Sequence, residues 1–489
     1  MNATALELED TIPPPQPAPR QSTALWPLRA FEPQSPHELT VAEVEGRLPE
    51  ALAGTFYRVG PSTLAAGNAE PNRHWFDGDG MVCAFNFAGG KVHFRNRYVE
   101  TPWYQREQRE GRRLYSGFAT VGPGLLGHLR RPKNPANTNV LRFEDRVLAL
   151  YEACRPFSID PVTLAPVGEE TFGGTLPPWA AFSAHPHHDA KNGSLVSFGL
   201  GLRFDRKGPY PVAESWEVDR TGAKRGKAIR LRHADVIHSF GLTRDYAIIV
   251  AGPYGLDVKR VPELLIGRRG IFDCVRWRPA DPTVVYVARR DGSVVREYEL
   301  PTGFMIHAVN AWQEGETVAV DVVLHSGPGL IESIRLPFGA PPEGGGKLCR
   351  LRFEPNGRVA RELLCETGIE FPTIRPELDG VPHRYVYADQ LQRTGDVFEA
   401  SRLIKVDTVE RQTRELNLGE GFVAGEPVFV ARQGGSGEDD GWVLSLCYDG
   451  PAHRSFLTVL DAKSWTETAR VKLPFHVPMG LHASFFPAG

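Results

Sequence analysis

Four histidines in distant stretches of this 489-residue chain constrain its fold more than any other feature. His185 lies in Ser183-Ala184-His185-Pro186, His238 in Ile237-His238-Ser239-Phe240-Gly241, and His307 in Ile306-His307-Ala308-Val309-Asn310. His482 lies in Pro478-Met479-Gly480-Leu481-His482, close to the C-terminus. Spacings of about 50, 70 and 175 residues rule out a local zinc-finger or HExxH arrangement. For the four to share one metal, a closed circular scaffold must bring distant segments to a common axis, as a β-propeller does. Imidazole ligation with no thiolate or carboxylate points to iron more than to structural zinc.

The rest of the chain suits that scaffold. Short β-rich runs recur from about residue 40 onward, among them 146–151, 246–250, 283–287, 317–323, 441–446 and 455–461. Asp-Gly, Asn-Gly and Pro-Asn-Gly turns punctuate them, and the 50 Gly and 41 Pro fit many tight connections. Helical periodicity is nearly absent, so the expectation is an all-β fold of consecutive meanders. No WD or kelch repeat is present, and the propeller reading rests on strand count. Residues 1–36 are Pro-rich and read as a flexible or strapping arm; residues 37–489 contain no linker and read as a single domain.

A net charge of −3 gives no electrostatic reason to expect nucleic acid. Six scattered cysteines without a CxxC pair read as reduced buried thiols. Glu7, Glu9 and Asp10 stand where a signal peptide would be basic, and no apolar run approaches the roughly 18 residues of a membrane span. The expectation is a soluble, cytoplasmic protein.

Three glutamates occupy settings where a charge is otherwise odd. Glu152 ends the apolar run Leu148-Ala149-Leu150-Tyr151, Glu370 precedes Phe371-Pro372, and Glu426 lies between Gly425 and Pro427-Val428-Phe429. A buried, unpaired carboxylate costs several kcal/mol. An imidazole N–H whose far nitrogen binds a metal removes that cost, and such carboxylates also orient the ring. Pairing with arginines at strand ends is the alternative. His187, His188 and His325 neighbour these motifs without a reason to coordinate.

The four histidine motifs and three glutamates resemble those of the carotenoid cleavage oxygenases. So do Gly54-Thr55-Phe56-Tyr57-Arg58-Val59-Gly60-Pro61, Phe76-Asp77-Gly78-Asp79-Gly80-Met81-Val82 and Ala136-Asn137-Thr138-Asn139-Val140, all in the family's order from about residue 40 to 487. The resemblance implies a seven-bladed propeller with loops forming a dome over the iron face. It implies Fe2+ on the axis held by His185, His238, His307 and His482, with Glu152, Glu370 and Glu426 behind three of them. Four ligands on an octahedral ion leave two positions for dioxygen and for water or substrate. Thr138 matches a family threonine that lies by one of them and restricts access there. The implied reaction inserts both atoms of dioxygen across a C=C bond, leaving two carbonyl products.

Two substrate readings stay open, a carotenoid or apocarotenoid polyene and a stilbene or phenylpropene. The stilbene cleavers of the family use a tyrosine and a lysine for the phenol, and Phe118 and Tyr151 stand at those positions here. Neither supplies the lysine's charge, and an aromatic wall at Phe118 and Tyr151 suits stacking along a polyene. Apolar loops at Trp103-Tyr104, 121–129 and 264–267, the last two running into Arg130-Arg131-Pro132-Lys133 and Arg268-Arg269, suit peripheral membrane contact through which a lipid-dissolved polyene enters. Leucines packed on the propeller face are the alternative.

Overall fold

Strands this short and this frequent bury their apolar faces only by pairing with sequence neighbours and stacking sheet on sheet. The computed structural model describes residues 29–63, 71–123, 133–189, 192–293, 295–335, 344–394 and 397–488, without the side chains of 393–399. Among these residues the strands pair into six hydrogen-bonded sheets, the largest of 13 strands, and in chain order they divide into seven consecutive meanders. The first joins His37–Thr40, Gly54–Pro61, Gly80–Ala88 and Lys91–Tyr98 to the C-terminal strand Ala483–Pro487. Residues 139–169, 187–230 and 241–300 carry the next three. The fifth begins at the strand Phe304–Glu314. It runs into the 15-residue strand Val359–Thr373, whose first half pairs with Gly346–Phe353 and whose end pairs with Tyr385–Thr394 of the sixth. The seventh, from Val428–Ala431 to Thr466–Lys472, takes Glu43–Gly46 as its outer strand. The fold is an all-β, seven-bladed propeller whose N- and C-terminal strands share the first blade.

The cores lie between blades rather than within them. Phe56, Phe85 and Phe94 of blade one pack on Leu444, Leu457 and Val459 of blade seven, and Ile248 and Val285 of blade four on Val320 and Leu351 of blade five. Each such side chain contributes about 1.5–3 kcal/mol on burial, so a single blade, exposing both faces, lacks a core of its own. The six cysteines are all buried, and none forms a disulfide.

One nine-residue helix, longer than the five-residue helices Val261–Leu265 and Gly329–Ser333, interrupts the strands. Pro102–Glu110 is capped by the Thr101 side chain and stopped by Gly111 at φ +61°, so Thr-Pro and Gly were legible as start and stop signals. Its buried Glu107 meets Lys133 Nζ at 2.6 Å, and Lys133 reaches Asp79 at 2.7 Å. Of the arm expected over 1–36, the described part lies along the last blade: Met479 N–H donates to Ala30 O at 2.7 Å.

Ring closure depends on Arg58. Its guanidinium is buried and donates to Leu446 O at 3.1 Å and to Pro478 O at 2.7 Å, tying blade one to blade seven and to the loop that carries His482. Backbone bonds from Leu481 N to Val59 O and from Val59 N to His482 O complete the seam. Gly480 is required here, because a Cβ would lie 2.2 Å from Arg58 Nε. Arg58→Met orphans two buried carbonyls and is expected to lower the unfolding free energy by about 2–4 kcal/mol. Urea melts check this; a change under 0.5 kcal/mol would show the seam holds without Arg58.

Candidate metal centre

Six of the seven innermost strands carry their axial residue at or near the start. Thr138 precedes Asn139–Phe143, His185 precedes His187–Asp189, His238 precedes Gly241–Leu242, and His307 lies near the start of Phe304–Glu314. Glu426 precedes Val428–Ala431 and His482 precedes Ala483–Pro487, while Glu370 lies late in Val359–Thr373, where that strand enters blade six. Seven segments converging on one axis place these residues together, although none is near another in sequence. Glu152 comes instead from the turn after Arg146–Leu150.

The four imidazoles form one cluster, with a ligand nitrogen of each within 4.8 Å of all the others. His185 Nε2 lies 2.8 Å from His238 Nε2, and His307 Nε2 lies 3.2 Å from His482 Nε2. Adjacent ligands at about 2.1 Å from one ion stand about 3.0 Å apart in an octahedron, so these separations bracket the spacing a bound cation sets. The outer nitrogens are engaged by carboxylates. His307 Nδ1 donates to Glu370 Oε2 at 2.5 Å and His482 Nδ1 to Glu426 Oε1 at 2.8 Å. His238 Nδ1 is 2.6 Å from Glu152 Oε1, close but poorly aligned for a straight hydrogen bond.

This outer bonding suits inward-facing lone pairs on both rings. With the protons of His307 and His482 on Nδ1, both Nε2 atoms point lone pairs at each other across 3.2 Å. Two lone pairs at that separation repel, and a cation between them turns the repulsion into ligation. The donor set therefore fits a metal ion.

Burial sets the protonation of the cluster. It lowers His482 to about 3 and His307 to about 4, the latter against the opposing pull of Glu370, and takes His185 well below its ordinary value. These rings stay neutral and available as ligands. His238 is raised instead, because Glu152 outweighs its burial. Glu370, for all its burial, is held below its ordinary range by His307 and His325. Glu426, with weaker compensation, is pushed up to about 8 by burial.

Two residues at the centre escaped the sequence reading. His325 is no ligand, but its Nε2 donates to Glu370 Oε1 at 2.6 Å. Glu370 therefore accepts from His307, His325 and the Phe371 backbone N–H, which fixes the carboxylate that orients His307. Asp389, the register partner of Glu370, is buried with one oxygen unpartnered. Burial and the charges of Glu370 and Glu426 raise its pKa well above the usual value. Neither had a signal in the sequence, since both meet the site only through cross-strand pairing. His187 bonds Asp379 and Phe240 O and does not join the cluster.

A cavity of about 390 Å³ opens onto the centre. His238, His307, His482, Glu152, Glu370, Thr138, Tyr151 and Phe118 all line it. Its other walls are mainly apolar, from Trp75, Phe76, Phe198, Val236, Ile237, Phe304, Ile306, Leu330 and Ile331, many of them on segments inserted between strands. Among the described residues no lysine or arginine lines it. Phe118 packs on Phe272 at 4.9 Å and edge-on to His74 at 5.4 Å.

Comparison with known proteins gives the same frame. The family model described as retinal pigment epithelial membrane protein matches residues 30–487. The apocarotenoid-15,15'-oxygenase of Synechocystis is 34% identical, covering 96% of this chain and 99% of that protein. The chain belongs to the carotenoid cleavage oxygenase family. Resveratrol cleavage oxygenase 1 of Aspergillus fumigatus is 28% identical over 92% of each chain. The crystal structure of cobalt-substituted Synechocystis ACO superposes with a TM-score of 0.85 at 31% identity, covering 95% of this chain and 99% of that one.

His325→Phe is expected to weaken metal retention about 10–100-fold while the fold survives, because Glu370 loses one of its three donors. His307→Ala should remove retention altogether. Metal analysis after dialysis against a graded chelator separates the two; wild-type retention in His325→Phe would show that Glu370 needs no such support.

Proposed function

We propose that this protein is a non-haem Fe(II) dioxygenase that cleaves a C=C bond of a carotenoid or apocarotenoid. A cluster of four imidazoles, three of them lining the floor of an apolar cavity, carries this reading. His185, His238, His307 and His482 would hold the iron, with no thiolate or carboxylate among the donors. Iron(II) bound there supplies the activation of dioxygen. Glu152, Glu370 and Glu426 fix the imidazole orientations and offset part of the ion's charge from behind the rings. Alkene and dioxygen convert to two carbonyls with no net proton transfer, so the cavity needs no general acid or base.

Holding the polyene is then the main task of the remaining side chains. Phe118 and Tyr151 line the cavity with aromatic rings, and Thr138, which also lines it, would restrict the space next to the ion. The burial that raises the Tyr151 pKa well above its usual value keeps its phenol neutral. A hydroxystilbene finds no cation for its phenol among the described cavity residues. That favours the polyene over the stilbene reading.

Substrate delivery fits contact with a lipid surface. Leu265 and Ile266 are 45% and 42% exposed and Ile271 is 39% exposed; Ile271 also lines the cavity. Arg268 follows Ile266-Gly267, while Arg269 is paired with Glu263. The second loop expected to touch a membrane, 121–133, falls largely outside the described residues, and Trp103 is buried on the helix Pro102–Glu110. No described helix is long and apolar enough to cross a membrane.

Iron-loaded protein in detergent should turn over an apocarotenal with a kcat/KM at least about tenfold above that for resveratrol, since a phenol facing an apolar wall loses a few kcal/mol of matched contact. Product masses and metal analysis together decide the matter. Resveratrol winning by tenfold would reverse the substrate ranking, and full activity in iron-free protein would overturn the metal assignment.

A further inference from the structure

A second group of metal-binding side chains lies away from the axis, where the N-terminal segment crosses the last blade. Glu32, His453 and His476 each bring one ligand atom within 4.8 Å of the others. Glu32 Oε2 and His453 Nε2 stand 3.5 Å apart. That is long for a hydrogen bond, yet close to the roughly 3.4 Å edge of a tetrahedron with 2.0–2.1 Å bonds. The other nitrogen of His453 is held by the Tyr448 hydroxyl at 2.8 Å. With Nδ1–H donating to that oxygen, Nε2 turns its lone pair toward Glu32, the outer-partner arrangement common to ligating histidines. Glu32 engages Arg29 through its other oxygen, Oε1, at 3.6 Å.

The surroundings favour the neutral form of His453. His453 and His476 stack with ring centroids 4.3 Å apart, and burial together with His476 and Arg29 lowers the His453 pKa. A third imidazole, His37, stacks on Phe475 at 3.9 Å with its Nε2 buried and unpartnered. Burial, and then the nearness of His476, disfavours its charged form. Gathering three histidines and a carboxylate at a chain junction is costly to stability if they protonate, and useful if they bind a cation.

We propose that Glu32, His453 and His476 form a second site, for a divalent transition metal of zinc-like preference, which clamps residues 29–34 to the last blade. Two nitrogens and one carboxylate oxygen suit zinc, with water completing four-coordination. His476 Nε2–H donates to Glu32 O at 3.0 Å, which holds the backbone of this segment against the blade and leaves Nδ1, 3.4 Å from Gln34 Nε2, as the nitrogen that would ligate; the ion adds a side-chain lock.

The test uses the full-length, iron-loaded protein equilibrated anaerobically with zinc, freed of excess metal and analysed for both elements. One zinc per chain beyond the iron is expected, with proteolysis around residues 29–34 slowed about tenfold. His453→Ala and His476→Ala should lose that zinc, and Glu32→Ala should bind it at least tenfold more weakly, all with iron content and C=C cleavage unchanged. Should a substitution of His476 disturb the blade, the Glu32 variant decides, because that side chain is half exposed. Zinc taken up only as iron is displaced, or a second equivalent that persists in the Glu32 and His453 variants, would overturn the site.

Discussion

Lone-pair repulsion between His307 and His482 is the constraint on which the rest of the centre depends. With their Nδ1 protons turned outward to Glu370 and Glu426, the inward nitrogens face each other at 3.2 Å, and a cation between them turns that repulsion into ligation. The propeller makes this confrontation possible, because it brings the innermost strand of each blade to one axis. An ordinary sandwich core would separate such groups or fill the space between them with apolar side chains. Here the blades' own cores lie between neighbouring sheets, which leaves the axis free for polar residues.

The histidines and their carboxylates were legible because each is an anomaly in its own stretch: a charge or an imidazole where strand-forming sequence calls for an apolar residue. The fold class was legible from turn density. Pairing across blades was not. Nothing in Val323-Leu324-His325 says that this ring meets Glu370, and nothing around Asp389 says that it opposes Glu370 in register. Such contacts depend on which strands neighbour each other and in what register, and a single sequence carries that only through periodicity. The helix Pro102–Glu110 was missed for a different reason. It is short and strongly polar, so its start and stop signals outweigh any periodic pattern.

Closure of the ring and assembly of the centre are one event. His482 is a ligand candidate that sits two residues beyond Gly480, in a loop pinned by Arg58 and by reciprocal backbone bonds to Val59. Until the C-terminal strand pairs with Gly54–Pro61, only His185, His238 and His307 can converge. A metal that binds all four imidazoles therefore adds its binding energy to the closed state alone and raises the stability of the seam. Damage to the seam at Arg58 should accordingly show itself in metal retention as well as in melting.

The supports behind the four imidazoles are unequal, and the inequality follows the cavity. Glu370 is fixed by three donors, Glu426 by His482 and the Ala483 N–H, and the half-exposed Glu152 mainly by His238. Among the described residues no carboxylate is bonded to His185, and it does not line the cavity, whereas His238, His307 and His482 do. The substrate side of the centre is thus bounded by the three rings that lean on carboxylates. A dication facing an apolar chamber would otherwise present an unscreened field to a neutral polyene and draw in water or anions. Carboxylates set behind those three rings reduce that field where the polyene lies, while leaving the inward nitrogens free to bind.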